Sequence, residues 1–167
     1  MVDAVATPER AVGVIGELVG DTIAFGPVEA GPGGMATATA RGTVGRMRAT
    51  SDGPAHVTVT VPVVLDLAVE IGRRTVPVEG RLAVRIGLHS CLAADASEVV
   101  VEVDEIGPAD IDVSTRASGV GGVLVRRLGD LDNEIRHHVI AWVTDLLTRP
   151  EAHAARRIPV GAEAEPA

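Results

Sequence analysis

The longest regular pattern in the chain is a strict alternation. Val57, Val59, Val61, Val63, Leu65, Leu67, Val69 and Ile71 take every second position, with Thr58, Thr60, Asp66 and Glu70 between them. Period two marks a strand with one buried face and one solvated face. About 15 residues at about 3.3 Å each would span roughly 50 Å, far beyond the usual strand of about five or six residues. A strand so long must coil or carry a bulge. Pro62, which lacks an N–H, is the natural place for one. Gly72-Arg73-Arg74 then turns the chain, and Val76, Val78, Leu82, Val84, Ile86 and Leu88 resume the alternation.

Weaker strand signals surround this pair. Residues 35–49 read as one Thr- and Ala-rich strand, closed by an Asp52-Gly53-Pro54 turn. Ala93-Ala94-Asp95 marks another turn, and Val99, Val101 and Val103 alternate against Glu98, Glu102 and Asp104. After Gly107-Pro108, Ile111 and Val113 begin a short strand, and Arg157-Ile158-Pro159-Val160 could add an edge strand. The short connections imply antiparallel neighbours. Ahead of the strands, Thr7 caps a helix with Pro8 at its first position. Ala11, Val12, Ile15, Leu18 and Val19 form its apolar face, and Gly20 ends it. Residues 26–34 read as a turn-rich connector. Their glycines match neither phosphate-binding pattern, so nucleotide binding is not expected.

A second period governs the end of the chain. From Gly122 to Thr148, Leu124, Leu128, Leu131, Ile135, Val139, Trp142 and Leu146 recur at steps of three or four. This predicts an amphipathic helix of about seven turns and roughly 40 Å. Arg149-Pro150 stops it. The resulting class is α+β: a short N-terminal helix, then a long, coiled antiparallel meander wrapped around one long C-terminal helix. Residues 1–160 form one domain, and Gly161–Ala167 read as a disordered tail. There is no internal repeat.

Composition narrows the function. Apolar residues make up 46% and aromatic residues 1%; Phe25 and Trp142 are the only aromatics. A core of Val, Leu, Ile and Ala suits alkyl chains better than bases or flat cofactors. Arginine as the only basic residue type, with abundant Ala and Val, also fits a GC-rich coding sequence. The formal charge of −8 disfavours nucleic acid and anionic membrane. No stretch approaches the length of a membrane-spanning helix, so no stable membrane insertion is expected. Met1–Arg10 lacks the features of a signal peptide, so the expected location is cytoplasmic. Cys91 cannot form an internal disulfide and reads as a buried, inert thiol.

Few residues invite chemistry. His137 and His138 are adjacent on the long helix and cannot share a metal. Relative to Ile135, His138 falls about 60° to one side of the apolar stripe at about 100° per residue. It could reach a cavity wall beside Trp142, while His137 faces solvent. Asp132 and Arg136 read as a pair on a solvated face. Asp66, flanked by Val63-Val64-Leu65 and Leu67-Ala68-Val69, would matter if turned inward; exposure on the outer sheet face is the simpler expectation. His138 and Asp66 are thus the candidate acid–base residues. His56, His89 and His153 stand alone near turns. No metal-ligand spacing and no nucleophile elbow is present, and no cofactor is implied.

The order of elements, with Ile106-Gly-Pro-Ala-Asp-Ile-Asp-Val113 leading into the long helix and Arg156-Arg-Ile-Pro-Val160 after it, resembles the tubular lipid-binding (TULIP) superfamily. That superfamily includes bactericidal/permeability-increasing proteins, SMP domains and small actinobacterial proteins. The resemblance is architectural, covers most of residues 8–160, and implies a tube that takes acyl chains through a seam between sheet and helix. Such actinobacterial relatives are mostly exported, whereas this chain shows no leader. The helix-grip fold, which also wraps a sheet around a C-terminal helix, would imply a hydrophobic ligand too. Three readings follow. One is a non-enzymatic carrier of a lipid or polyketide-like molecule, its seam lined by Val61, Val63, Leu65, Val84, Ile86, Leu128, Ile135 and Trp142. Another is a cofactor-free cyclase or isomerase acting on a hydrophobic biosynthetic intermediate in the same cavity. The third is a structural domain whose helix packs in a homodimer.

Overall fold

A computed structural model of the chain describes residues 8–51, 53, 55–92, 98–117, 131–149 and 157–159. The element order is α1 (Pro8–Val19), β1 (Thr22–Ala30), β2 (Ala36–Val44), β3 (Arg48–Ser51), β4 (His56–Ile71), β5 (Arg74–Leu92), β6 (Glu98–Val103), β7 (Ile111–Arg116), α2 (Leu131–Thr148) and β8 (Arg157–Pro159). All strand pairs are antiparallel. The class is α+β, as the two hydrophobic periods predict.

The sheet is organised by its two long strands. β4 and β5 pair from Ile71↔Arg74 beside the Gly72-Arg73 turn to His56↔His89 at the far end. Gly72 supplies a φ of 62° at that turn, where a residue with a Cβ would be strained. Each outer edge of this hairpin is covered by two shorter strands laid end to end. β2 pairs with Val63–Ile71 and β3 with Val57–Thr60 along β4. β7 pairs with Glu79–Val84 and β6 with Leu88–Leu92 along β5. β1 extends the sheet beyond β2, and β8 extends it beyond β6.

These breaks correct two sequence expectations. Residues 35–49 are two strands rather than one. The interruption at Gly45–Met47 lies against Pro62, and the Gly45 N–H donates to the Pro62 carbonyl at 2.8 Å. The irregularity expected at Pro62 therefore falls on the neighbouring track, while β4 itself runs through. Residues 26–30 belong to β1 rather than to a connector. Gly26-Pro27 interrupts the β1–β2 register between Phe25 and Val28, and a strand at the end of the sheet tolerates such a break.

One face of the sheet is buried and the other is solvated. On β4 the inward residues are Val57, Val59, Val61, Val63, Leu65, Leu67 and Val69, all buried; Ile71 is half-buried. On β5 they are Val76, Val78, Leu82, Val84, Ile86 and Leu88. β2 presents Ala36, Ala38, Ala40 and Gly42 inward, with a half-buried Val44 at its end. A Cβ on Gly42 would lie 2.6 Å from Val63 and 2.7 Å from Ile23. The small stripe on β2 makes room for large side chains on β1 and β4.

Both helices pack on this face. α1 lies against β3 and β4 and touches α2; α2 lies against β7 and β1. Gly20 ends α1 as expected, at φ 77° with its N–H on the Gly16 carbonyl. α2 has 18 residues, about 27 Å. The predicted earlier turns, with Leu124 and Leu128, lie outside the described residues, as do Thr7, the Ala93-Ala94-Asp95 turn, His153, Val160 and the 161–167 tail. The buried stripe of α2 is Leu131, Ile135, Val139, Val143 and Leu147, with Leu146 beside it. Trp142 is half-buried at its margin. The stripe follows i, i+4 steps through Val143 and Leu147, which the three-or-four reading through Trp142 passed over.

Candidate functional site

The seam between the hairpin and the helices is lined by Ile15, Leu18 and Val19 of α1, Val61 and Val63 of β4, Leu82, Val84 and Ile86 of β5, and Trp142, Val143, Leu146 and Leu147 of α2. Every lining residue is apolar. Among the described residues no polar or charged side chain is buried. The open space within the seam is about 10 Å³, no more than a single water needs. Five expected lining residues, Val61, Val63, Val84, Ile86 and Trp142, meet here. Leu65 and Ile135 are fully buried in the core and do not line the seam. Leu128 lies outside the described residues. α1 forms one wall of the seam, a role its short apolar face did not announce.

The candidate acid–base residues are placed apart. His138 is half-buried with its ring 5.1 Å from that of Phe25 on β1, rather than at the seam. His137 is exposed. Asp66 is exposed on the outer face, opposite Glu79 on β5 and Arg41 on β2. Asp132 and Arg136 are both half-buried rather than solvated, and they tie α2 to β7. Asp132 accepts a hydrogen bond from Thr115, and the Arg136 Nε donates to the Ile111 carbonyl at 3.0 Å.

The densest polar constellation among the described residues lies elsewhere, on the outer face at the open end of the hairpin. His56 and His89 do not stand alone. They are direct cross-strand partners, with ring centroids 6.5 Å apart. The His56 Nε2 is 2.9 Å from the Asp104 Oδ2, and the His89 Nδ1 is 2.9 Å from the Asp104 Oδ1. The other His89 nitrogen, Nε2, is 2.9 Å from the Glu102 Oε2. Asp104 follows β6, and its N–H donates to the Gly87 carbonyl at 2.8 Å. Its carboxylate occupies the space a Cβ on Gly87 would fill, so glycine at this position permits the cluster. Hydrogen bonding from His56, then from His89, holds the Asp104 carboxyl below the usual carboxylate range against the opposing effect of burial.

Two further groups border this cluster. Cys91 is half-buried, with its Sγ 3.5 Å from the Val100 carbonyl. Burial, reinforced by Glu102, pushes its thiol pKa up, which leaves it a weak nucleophile. Arg85 holds the crossing from β6 to β7. It donates to the Ala109 carbonyl and to the Asp112 Oδ2, the latter at 2.6 Å. That bond raises the Arg85 pKa and lowers that of Asp112.

The signal for the histidine pair was present in the sequence. His56 and His89 are equidistant from the Gly72-Arg73 turn, so counting register outward from a two-residue hairpin places them opposite each other. Asp104 carried no such signal, because its position depends on how β6 leaves the sheet.

Among the described residues, no group of three or more His, Cys, Asp or Glu side chains is arranged to hold a metal ion. No described helix is long and apolar enough to cross a membrane. Comparison with known proteins found no family and no curated relative that matches this chain.

Proposed function

We propose that this protein binds or carries a hydrophobic small molecule, lipid or polyketide-like, in the seam between the β4–β5 hairpin and its two helices. The observation that carries this reading is the lining itself: twelve residues from four elements, all of them aliphatic except Trp142. Such a surface recognises a ligand only by removing it from water. The gain is about 0.8 kcal/mol per buried methylene, so a chain of about eight contributes roughly 6 kcal/mol before the cost of opening. The contact of α2 with both β1 and β7, on opposite sides of the long hairpin, supports a sheet that wraps the helix, in keeping with the tubular lipid-binding resemblance. Because the seam is closed, ligand entry requires α1 or the Trp142–Leu147 end of α2 to move outward.

The narrow space favours one second reading, a filled core whose role is structural. The enzymatic alternative, a cofactor-free cyclase or isomerase, would need an acid or base at the ligand. His138 lies beside Phe25 and Asp66 on the solvated face, so neither supports it.

Native mass spectrometry of the purified protein, followed by denaturing extraction, separates these readings. A carrier shows an added mass of lipid or polyketide size, or takes up a fluorescent fatty acid, and Leu146→Trp reduces that uptake. An apo mass with no uptake would leave the filled core as the account of the seam.

A further inference from the structure

We propose that His89 is a proton-dependent clamp: held between Asp104 and Glu102, it fastens the exit of β6 to the long hairpin while both ring nitrogens carry protons, and releases it when one is lost. The number of available donors sets this requirement. His89 stands within hydrogen-bond distance of a carboxylate oxygen at each nitrogen, 2.9 Å in both cases. An ionised carboxylate only accepts, and a neutral imidazole has one N–H to give. Both bonds together therefore require one proton more than neutral imidazole and two carboxylates supply. The imidazolium carries it most simply, since it is then flanked by two negative charges.

The surroundings suit that state. Facing His89 are His56 from β4, Cys91 from β5, Glu102 from β6 and Asp104 just beyond β6. The nearby Arg85 is engaged with Asp112 and Ala109. Side-chain exposures of 41% for His89 and 43% for Asp104 leave the site open to exchange protons directly with solvent.

The clamp controls a defined segment. Val103, Asp104, Glu105 and Ile106 form one wall of a groove of about 370 Å³. Ile140, Thr144, Leu147 and Thr148 of α2 form the other wall. When His89 loses a proton, one of its two contacts becomes acceptor against acceptor and opens. The Val103–Ile106 wall then keeps its Gly87 backbone bond, the packing of Val103 and Ile106 on the core, and what His56 still gives Asp104. The wall and its proton are independent of whether the seam takes a ligand.

The test uses the full chain labelled with ¹⁵N. Long-range proton–nitrogen spectra report the state of His89, and amide exchange, corrected for its intrinsic pH dependence, reports the order of residues 101–106. The expected result at pH 5.5 is an imidazolium pattern at His89. Protection of residues 101–106 should fall about fivefold to tenfold as His89 deprotonates, while amides of Val57–Val69 stay unchanged. Glu102→Gln is the decisive variant. Its amide can donate to a neutral ring, so protection should persist at alkaline pH. His89→Gln should reduce the pH dependence to what the remaining His56–Asp104 contact supplies. A single neutral tautomer at pH 5.5, or protection in Glu102→Gln that falls with pH as in the parent, would overturn the proposal.

Discussion

The two faces of the β4–β5 hairpin cohere by different means. On the inner face, valines and leucines are held by exclusion from water. That force has no direction and tolerates exchange of one aliphatic shape for another. At the open end of the outer face, His56, His89, Asp104 and Glu102 are held by bonds that demand particular atoms at particular distances. The first face supplies most of the stability. The second supplies position: it decides where the chain goes after β6. An apolar face can therefore be read one strand at a time, whereas a polar cluster exists only once the register between strands is set.

Substitutions can break this contrast, starting with the core. Ile135→Ala removes a side chain that is 1% exposed at the centre of the α2 stripe, and should cost about 2–5 kcal/mol in chemical denaturation. Gly42→Val tests the opposite fault. Added atoms would collide with Val63 and Ile23, and a loss of about 1–3 kcal/mol is expected.

The polar end should respond more gently and with a pH signature. Asp104→Asn should cost about 1 kcal/mol near neutral pH, since its partners are partly exposed. The sign of the pH effect follows from the lowered Asp104 pKa. A depressed carboxyl stabilises the fold above its ordinary range and loses that contribution as pH falls through its folded value. The gap in melting temperature between parent and variant should therefore narrow on acidification below about pH 4. Gly87→Ala should imitate Asp104→Asn, because its Cβ takes the carboxylate's place. If the gap stays constant, Asp104 acts by packing alone.

The smallest effect belongs to Asp66. It is exposed and stands directly opposite Glu79 across β4 and β5. Asp66→Asn relieves a like-charge pair, so stability should change by less than about 0.5 kcal/mol, in the stabilising direction. A clear loss would mean that its cross-strand neighbour Arg41 outweighs Glu79.

What could be read from the chain follows the same division. The alternation from Val57 to Ile71 and the turn at Gly72 placed the long hairpin and its buried face, because burial acts on each residue separately. The division of residues 35–49 was hidden, since the break is dictated by Pro62 on a neighbouring strand. β1 was hidden because Gly26-Pro27 reads locally as a turn, while at the end of a sheet it is only an interruption. In the seam, Val61, Val63, Val84 and Ile86 were legible from period two. The α1 wall was not, because its contact is set by tertiary packing. The imidazole–carboxylate cluster needed both the hairpin register and the path of β6, and only the first was countable.

The interruption in β1 has a consequence beyond this one chain. β1 ends the strand order, so its outer side offers backbone donors and acceptors to any second molecule that can align with them. Pro27 cannot donate, and the register slips between Phe25 and Val28. A copy approaching edge to edge would find no continuous ladder to extend. The edge that β1 presents is thus blunted by the same break that interrupts its pairing with β2.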